Sequence, residues 1–121
     1  MKFDWSEFGW LAFRKFKKNR HKELDYIGAV RVGDIKFELY AHGDNGNISY
    51  DVYIANEDYG YNVNKDGISY DFADGGEIEV TDKMNYMEFV VQAEARFNRF
   101  IREYTGTYRL IAHASNKLLR W

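Results

Sequence analysis

The sequence predicts an α+β fold. We expect an antiparallel β-meander of five to six strands, with an N-terminal helix, a long C-terminal helix and a possible third helix packed on one face. Three observations predict this class. Apolar residues recur at helical spacing near both ends, polar and apolar residues alternate strictly between them, and Gly, Asn and Asp mark the turns of a chain without proline. At 121 residues, the chain has the usual size of one domain, so we expect residues 1–121 to form a single α+β domain.

The first predicted element is a helix that begins at Ser6, a residue type that favours the N-cap. Phe8, Leu11 and Phe16 then follow at helical spacing. The helix continues into the basic stretch of residues 14–22.

From Tyr26 onward the period of the pattern changes to two, which is typical of strands with one buried and one solvated face. The apolar members, among them Tyr70 and Phe72, should face the helices. Turns are predicted at residues 32–34, 43–46 and 65–67, and a short loop at residues 73–76. The alternating segments are residues 35–42, 48–55, 59–64, 68–72 and 77–80.

After Thr81, a predicted cap, one apolar stripe at helical spacing indicates a long helix that Gly106 ends. The tail, residues 107–121, is ambiguous. Its apolar residues suit a final helix, which we favour, but residues 108–112 also suit a strand. The stripe comprises Tyr86, Phe89, Val90, Ala93, Phe97, Phe100, Ile101 and Tyr104.

Charge is segregated along the chain although the net charge is only −2. Residues 43–82 hold ten acidic residues and one basic residue, whereas residues 1–24 and 83–121 each hold seven basic and three acidic residues. Outward charge is needed for solubility whatever the function. An imbalance of this size also favours a partner of opposite charge. The sequence therefore predicts an acidic sheet face and basic helical faces.

The leading functional hypothesis is a non-enzymatic interaction module, or an inhibitor, that docks on a basic protein surface. Tyrosines on the acidic face would supply contact area and the carboxylates would set orientation. In one version, phosphate-like carboxylates occupy the groove of a nucleic-acid-binding protein, by analogy with small phage or mobile-element proteins. The predicted partner-binding residues are Glu38, Tyr40, Asp51, Tyr53, Asp71, Glu77 and Glu79.

The alternative hypothesis is a nucleic-acid-binding domain that uses the basic helical faces. The isoelectric point of about 5.9 argues against it. The opposed charges would also permit a homo-oligomer. The candidate phosphate contacts are Arg14, Lys15, Lys18, Lys22, Arg109 and Lys117.

Catalytic patterns are scarce. The chain has no cysteine, and its histidines lie in separate segments without a shared motif. Residues 62–67 resemble the first half of an EF-hand loop, but Ala73 stands where that loop needs a glutamate, and a hairpin turn explains the same residues. We therefore expect no catalytic residues, metal or cofactor. A small hydrolase that pairs Asp71 with Glu77 or Glu79 is the third hypothesis.

Location is predicted from the same features. The absence of cysteine fits a reducing compartment, and acidic residues interrupt the first residues where a signal peptide needs an apolar run. No segment reaches the length of a membrane span. We expect a cytoplasmic protein without a membrane partner.

Overall fold

A computed structural model describes residues 2–19, 25–42, 46–56 and 69–104. Over these residues the fold is α+β, with two helices and one antiparallel sheet of four strands in the order β1-β2-β3-β4. The elements are α1 (Trp10–Lys18), β1 (Asp25–Val32), β2 (Ile35–Ala41), β3 (Asn47–Asn56), β4 (Ser69–Glu79) and α2 (Tyr86–Glu103).

The chain divides into two compact units, Met1–Phe89 and Val90–Trp121, with the boundary inside α2. The first unit contains the sheet, α1 and the first turn of α2. The second contains the rest of α2, where Ala93 and Phe97 are fully buried. The single domain stays a prediction.

One face of the sheet, the packed face, is apolar and lies beneath α1 and the segment before it. Phe8 lies against Gly28 of β1, and the ring of Phe3 lies 6.3 Å from that of Phe37. Burial of this face contributes to the hydrophobic stabilisation of the unit. Its fully buried side chains are Val30, Phe37, Leu39, Ile48, Val52 and Ile78.

Phe89, in the first turn of α2, is the centre of an aromatic cluster. Its ring centroid lies 5.3 Å from that of Phe13, 5.4 Å from that of Phe8 and 6.1 Å from that of Trp5. The side chain of Phe89 has no exposed surface. This cluster joins the N-terminal segment, α1 and the start of α2 through close-packed rings.

Gly28 allows the N-terminal segment to approach the sheet closely. A Cβ atom there would lie 2.5 Å from the carbonyl oxygen of Glu7, and Gly28 has a φ of 156°, which favours glycine. Asp4 forms an isolated bridge with Arg31, so the N-terminal segment also pairs with β1. Both contacts hold residues 4–8 in a turn against the sheet.

The helices begin later than the sequence predicts. The first helix begins at Trp10 with Gly9 as its N-cap, so the prediction of a Ser6 cap is wrong. The amide of Ser6 instead donates to Asp4 Oδ1 at 3.0 Å, within the turn. In α2, Asn85 is the cap rather than Thr81, because Asn85 Oδ1 accepts a hydrogen bond from the amide of Glu88 at 2.8 Å.

Strand β4 contains the segment that was predicted as a loop. Residues 73–76 are strand residues, so the predicted strands 68–72 and 77–80 join in one long strand, Ser69–Glu79. Val80 follows that strand, and residue 68 lies outside the described residues. The sheet has four strands over the described residues. The predicted strand 59–64, the helix end at Gly106 and the tail 107–121 lie outside those residues.

A β-bulge between β3 and β4 changes which side chains share a face. Val52 pairs with Asp74, but its neighbour Tyr53 pairs with Phe72, so Ala73 is an extra residue in β4. Because alternation has period two, one extra residue moves every earlier side chain of β4 to the opposite face. The packed-face placement predicted for Tyr70 and Phe72 is therefore wrong.

The same shift moves Asp71. It pairs with Ile54 and lies on the packed-face side of the sheet, where it is exposed near the end of β4. The prediction that Asp71 shares a face with Asp51, Glu77 and Glu79 is wrong.

Candidate functional site

The face opposite the packed face carries most of the predicted partner-binding residues, and we call it the tyrosine face. Cross-strand pairing arranges its side chains in rows. Tyr26 lies opposite Tyr40, Glu38 opposite Asp51, and Tyr53 opposite Phe72. Its main side chains are Tyr26, Arg31, Lys36, Glu38, Tyr40, Asp51, Tyr53, Tyr70, Phe72, Glu77 and Glu79.

Two aromatic pairs stand on either side of the row that contains Glu38 and Asp51. The rings of Tyr26 and Tyr40 meet edge to face at 5.6 Å, and those of Tyr53 and Phe72 at 5.9 Å. Edge-to-face contact is the arrangement that aromatic pairs prefer. The two pairs therefore form an ordered aromatic surface around the central carboxylates.

Hydroxyl groups connect the aromatic pairs to the carboxylates. The hydroxyl of Tyr53 donates to Asp51 Oδ2 at 3.4 Å, and the side chains of Tyr40 and Tyr53 share a hydrogen bond. The hydroxyl of Tyr26 donates to Glu7 Oε2 at 3.5 Å.

Tyr26, Tyr40 and Tyr53 are held in their neutral form, because each has a raised pKa. Burial, followed by the nearby carboxylates of Glu7 and Glu38, raises the pKa of Tyr26 to about 12. Burial and then the carboxylate of Asp51 raise the pKa of Tyr53 to about 12. Burial also raises the pKa of Tyr40. A neutral phenol can donate a hydrogen bond, so these hydroxyls remain donors beside the carboxylates throughout the physiological pH range.

The tyrosine face is polarised rather than uniformly acidic. At one end Glu77 lies 3.5 Å from His42 Nε2 and accepts a hydrogen bond from the Asn47 side chain at 3.3 Å. At the other end Arg31 Nη1 donates to the hydroxyl of Tyr70 at 2.8 Å, and the ammonium of Lys36 lies 5.1 Å from the ring centre of Tyr70. The carboxylates at the centre of the face and at its Glu77 end are therefore placed to meet cations of a partner. At the opposite end, Tyr70 lies beside the cationic groups of Arg31 and Lys36.

The structure brings six of the seven predicted partner-binding residues onto one face. They are Glu38, Tyr40, Asp51, Tyr53, Glu77 and Glu79.

Sequence reasoning missed Tyr26 and Phe72, and Phe72 is 63% exposed. The adjacent pair Gly75 and Gly76 inside an alternating region was the signal that could have predicted the bulge.

The carboxylate pairs of the hydrolase hypothesis do not form. Asp71 lies on the packed-face side, whereas Glu77 and Glu79 lie on the tyrosine face. Within the described ranges, no group of three or more His, Asp or Glu side chains could hold a metal ion. The residues of the EF-hand-like motif lie outside the described part of the chain.

Helix α1 exposes part of the predicted nucleic-acid surface. Trp10 is 55% exposed, and the Arg14 guanidinium lies 5.4 Å from its ring centre. Lys15 and Lys18 are also exposed. Lys17 instead donates to the carbonyl oxygens of Asp82 and Met84, at 2.7 Å and 2.6 Å. The predicted contacts outside the described residues are Lys22, Arg109 and Lys117.

No protein-family model, curated protein or solved structure matches this chain. Neither described helix is both long enough and apolar enough to span a lipid bilayer.

Proposed function

We propose that the protein is a non-enzymatic interaction module whose tyrosine face docks on a basic surface of a partner protein. The convergence of Tyr26, Tyr40 and Tyr53 around Glu38 and Asp51 is the observation that carries this proposal. Tyrosine is enriched at binding hot spots, and carboxylates complement lysine and arginine on a partner.

The arrangement suits binding because its parts are already ordered in the free protein. Tyr53 is fixed by its ring contact with Phe72 and its hydrogen bond to Asp51. Ordering side chains before binding lowers the entropy that association must overcome. The central carboxylates and Glu77 and Glu79 would steer a cationic partner and raise its association rate.

A nucleic-acid-binding protein is one class of partner with a suitable basic groove. In this version of the proposal the chain is an inhibitor that presents carboxylates in place of phosphates, as the phage and mobile-element analogy suggests. A cytoplasmic location is part of the proposal, supported by the absence of cysteine.

The exposed side of α1 supports a second candidate function, binding of single-stranded nucleic acid. Trp10 could stack on a base, while Arg14, Lys15 and Lys18 could contact phosphates. The exposure of Trp10 favours this alternative, because a tryptophan that serves only packing is mostly buried.

One binding experiment separates the two candidates. A fluorescent cationic peptide and a fluorescent single-stranded oligonucleotide are each titrated with the native protein and with two charge-reversal variants. The first variant combines Glu38→Lys with Asp51→Lys, and the second combines Arg14→Glu with Lys18→Glu.

The proposal predicts that the native protein binds the peptide and that the sheet variant weakens binding by about tenfold or more, whereas the α1 variant retains it. Asp71→Lys is a matched control, because this exposed carboxylate lies on the other face. Oligonucleotide binding lost only in the α1 variant would support the alternative. Absence of peptide binding to the native protein would overturn the leading proposal.

A further inference from the structure

On the tyrosine face the side chains of Asp51 and Phe72 flank the exposed Gly75, and we call the shallow gap over this glycine the niche. A Cβ atom at this exposed glycine would lie 3.0 Å from the carbonyl oxygen of Tyr50, 3.2 Å from Asp51 Oδ1 and 3.7 Å from Phe72 Cζ, so a ligand lies over this gap rather than deep within it. One wall of the niche is therefore a carboxylate oxygen, and another is the edge of an exposed phenyl ring.

The walls of this niche are held in place from behind. The hydroxyl of Tyr53 donates to Asp51 Oδ2, so the other oxygen of the carboxylate is the one that lines the niche. The ring of Tyr53 also supports Phe72 by an edge-to-face contact at 5.9 Å. Phe72 nevertheless keeps 63% of its surface exposed. An exposed aromatic ring with a fixed orientation beside a carboxylate is a surface prepared for a cation.

Arginine fits this chemistry better than lysine. A guanidinium is planar, so it can stack on an aromatic ring while its N–H groups donate to a carboxylate in the same plane. An ammonium is a compact and strongly hydrated charge, which gains less from the ring. Elsewhere on this face an arginine already lies beside an aromatic residue, because the Arg31 guanidinium lies 5.9 Å from the ring centre of Tyr70 and donates to its hydroxyl.

We propose that the niche above Gly75 binds an arginine side chain of the partner protein, with the guanidinium against Phe72 and Asp51 Oδ1. This inference rests on the proposed function and adds a preference for arginine over lysine. The remaining carboxylates of the face then attract arginine and lysine alike, and the niche discriminates arginine from lysine.

The test compares two peptides of equal length and charge, one alternating arginine with glycine and the other lysine with glycine. Isothermal titration calorimetry measures both against the native protein, Phe72→Leu, Asp51→Asn and two controls. We expect the arginine peptide to bind the native protein about tenfold more tightly than the lysine peptide. Phe72→Leu should make the two affinities equal, because it removes the ring but keeps an apolar side chain.

The controls match the variants in exposure and chemistry. Asp71→Asn removes an exposed carboxylate from the other face, and Met87→Ala removes a side chain that is 62% exposed on α2. Both should keep the arginine preference, and thermal unfolding of every variant checks that the fold is retained. Equal binding of the two peptides to the native protein would overturn the arginine niche but leave the proposed function intact. Binding of neither peptide would overturn both.

Discussion

The two faces of the sheet are both rich in aromatic residues, yet they use them differently. On the packed side, Phe8, Phe13 and Phe89 form a closed cluster in which each side chain is at least 97% buried. On the tyrosine face, Tyr26 is 42% exposed and Phe72 is 63% exposed. These three phenylalanine rings carry no polar atoms, whereas the tyrosine face places hydroxyl groups next to carboxylates.

The difference shows which aromatic residues stabilise the fold and which are available to a partner. Buried phenylalanines gain free energy from burial and close packing. Half-exposed tyrosines contribute less to stability, but they present area and hydrogen-bonding groups that a partner can cover. Substitutions on the packed side should therefore change stability, and those on the tyrosine face should mainly change binding.

The largest effect on stability is expected for Phe89→Ala. This substitution opens a cavity among three rings, and a fully buried Phe→Ala change destabilises a protein by about 3–5 kcal/mol. Chemical denaturation measures the free energy of unfolding. A loss below about 1 kcal/mol would show that the aromatic cluster is not the packing centre of the first unit.

A smaller effect is expected for Tyr70→Phe. The variant keeps the ring over Lys36 but removes the acceptor of the 2.8 Å hydrogen bond from Arg31. We expect a loss of about 0.5–1.5 kcal/mol in the free energy of unfolding. Tyr26→Phe is the matched control, because its exposed hydrogen bond at 3.5 Å is longer and should contribute less. Equal losses in both variants would contradict the role assigned to Tyr70.

Alkaline titration tests the electrostatics of the tyrosine face. Tyr26 and Tyr53 have pKa values of about 12 in the folded state, against the ordinary tyrosine value of 10.0. Because the fold favours the neutral phenols, their contribution to stability is complete below pH 10 and is lost as the pH rises from 10 through 12. In an absorbance titration, Tyr26→Phe and Tyr53→Phe should each remove a late-ionising phenol. Loss of a phenol that ionises near pH 10 instead would contradict this interpretation.

The smallest effect on stability is expected for Phe72→Ala. Its side chain is 63% exposed, so we expect a change within about 0.5 kcal/mol. The variant thus contrasts directly with Phe89→Ala, which changes the same residue type on the other side of the sheet. Destabilisation of similar size in both variants would mean that Phe72 is a packing residue, and the proposed niche would lose its basis.

The residue pattern predicted the α+β class and which side chains of β2 and β3 lie on each face of the sheet. It did so because polar and apolar residues alternate along these two strands without interruption. Prediction failed in β4 because a single extra residue, Ala73, reverses the face of the side chains before it. Gly75 and Gly76 suggested a loop from sequence. In the structure they are strand positions with close neighbours from β3, since a Cβ atom on Gly76 would lie 2.6 Å from the Tyr50 hydroxyl.

The start of α1 could not be predicted from the local residue pattern either. Phe8 has helical spacing with Leu11, but contacts of the N-terminal segment with Arg31 and Gly28 hold it in a turn. Such contacts are distant in sequence, so they override a local preference that is worth less than 1 kcal/mol per residue.

Ring-proton chemical shifts during titration with the arginine peptide test the central claim most directly. If the tyrosine face is the docking surface, the rings of Phe72 and Tyr53 shift with peptide concentration. The ring of Tyr50, on the packed side, and the indole of Trp10, on α1, then stay unchanged. Shifts of Tyr50 or Trp10 without shifts of Phe72 and Tyr53 would contradict the claim and place the binding surface elsewhere.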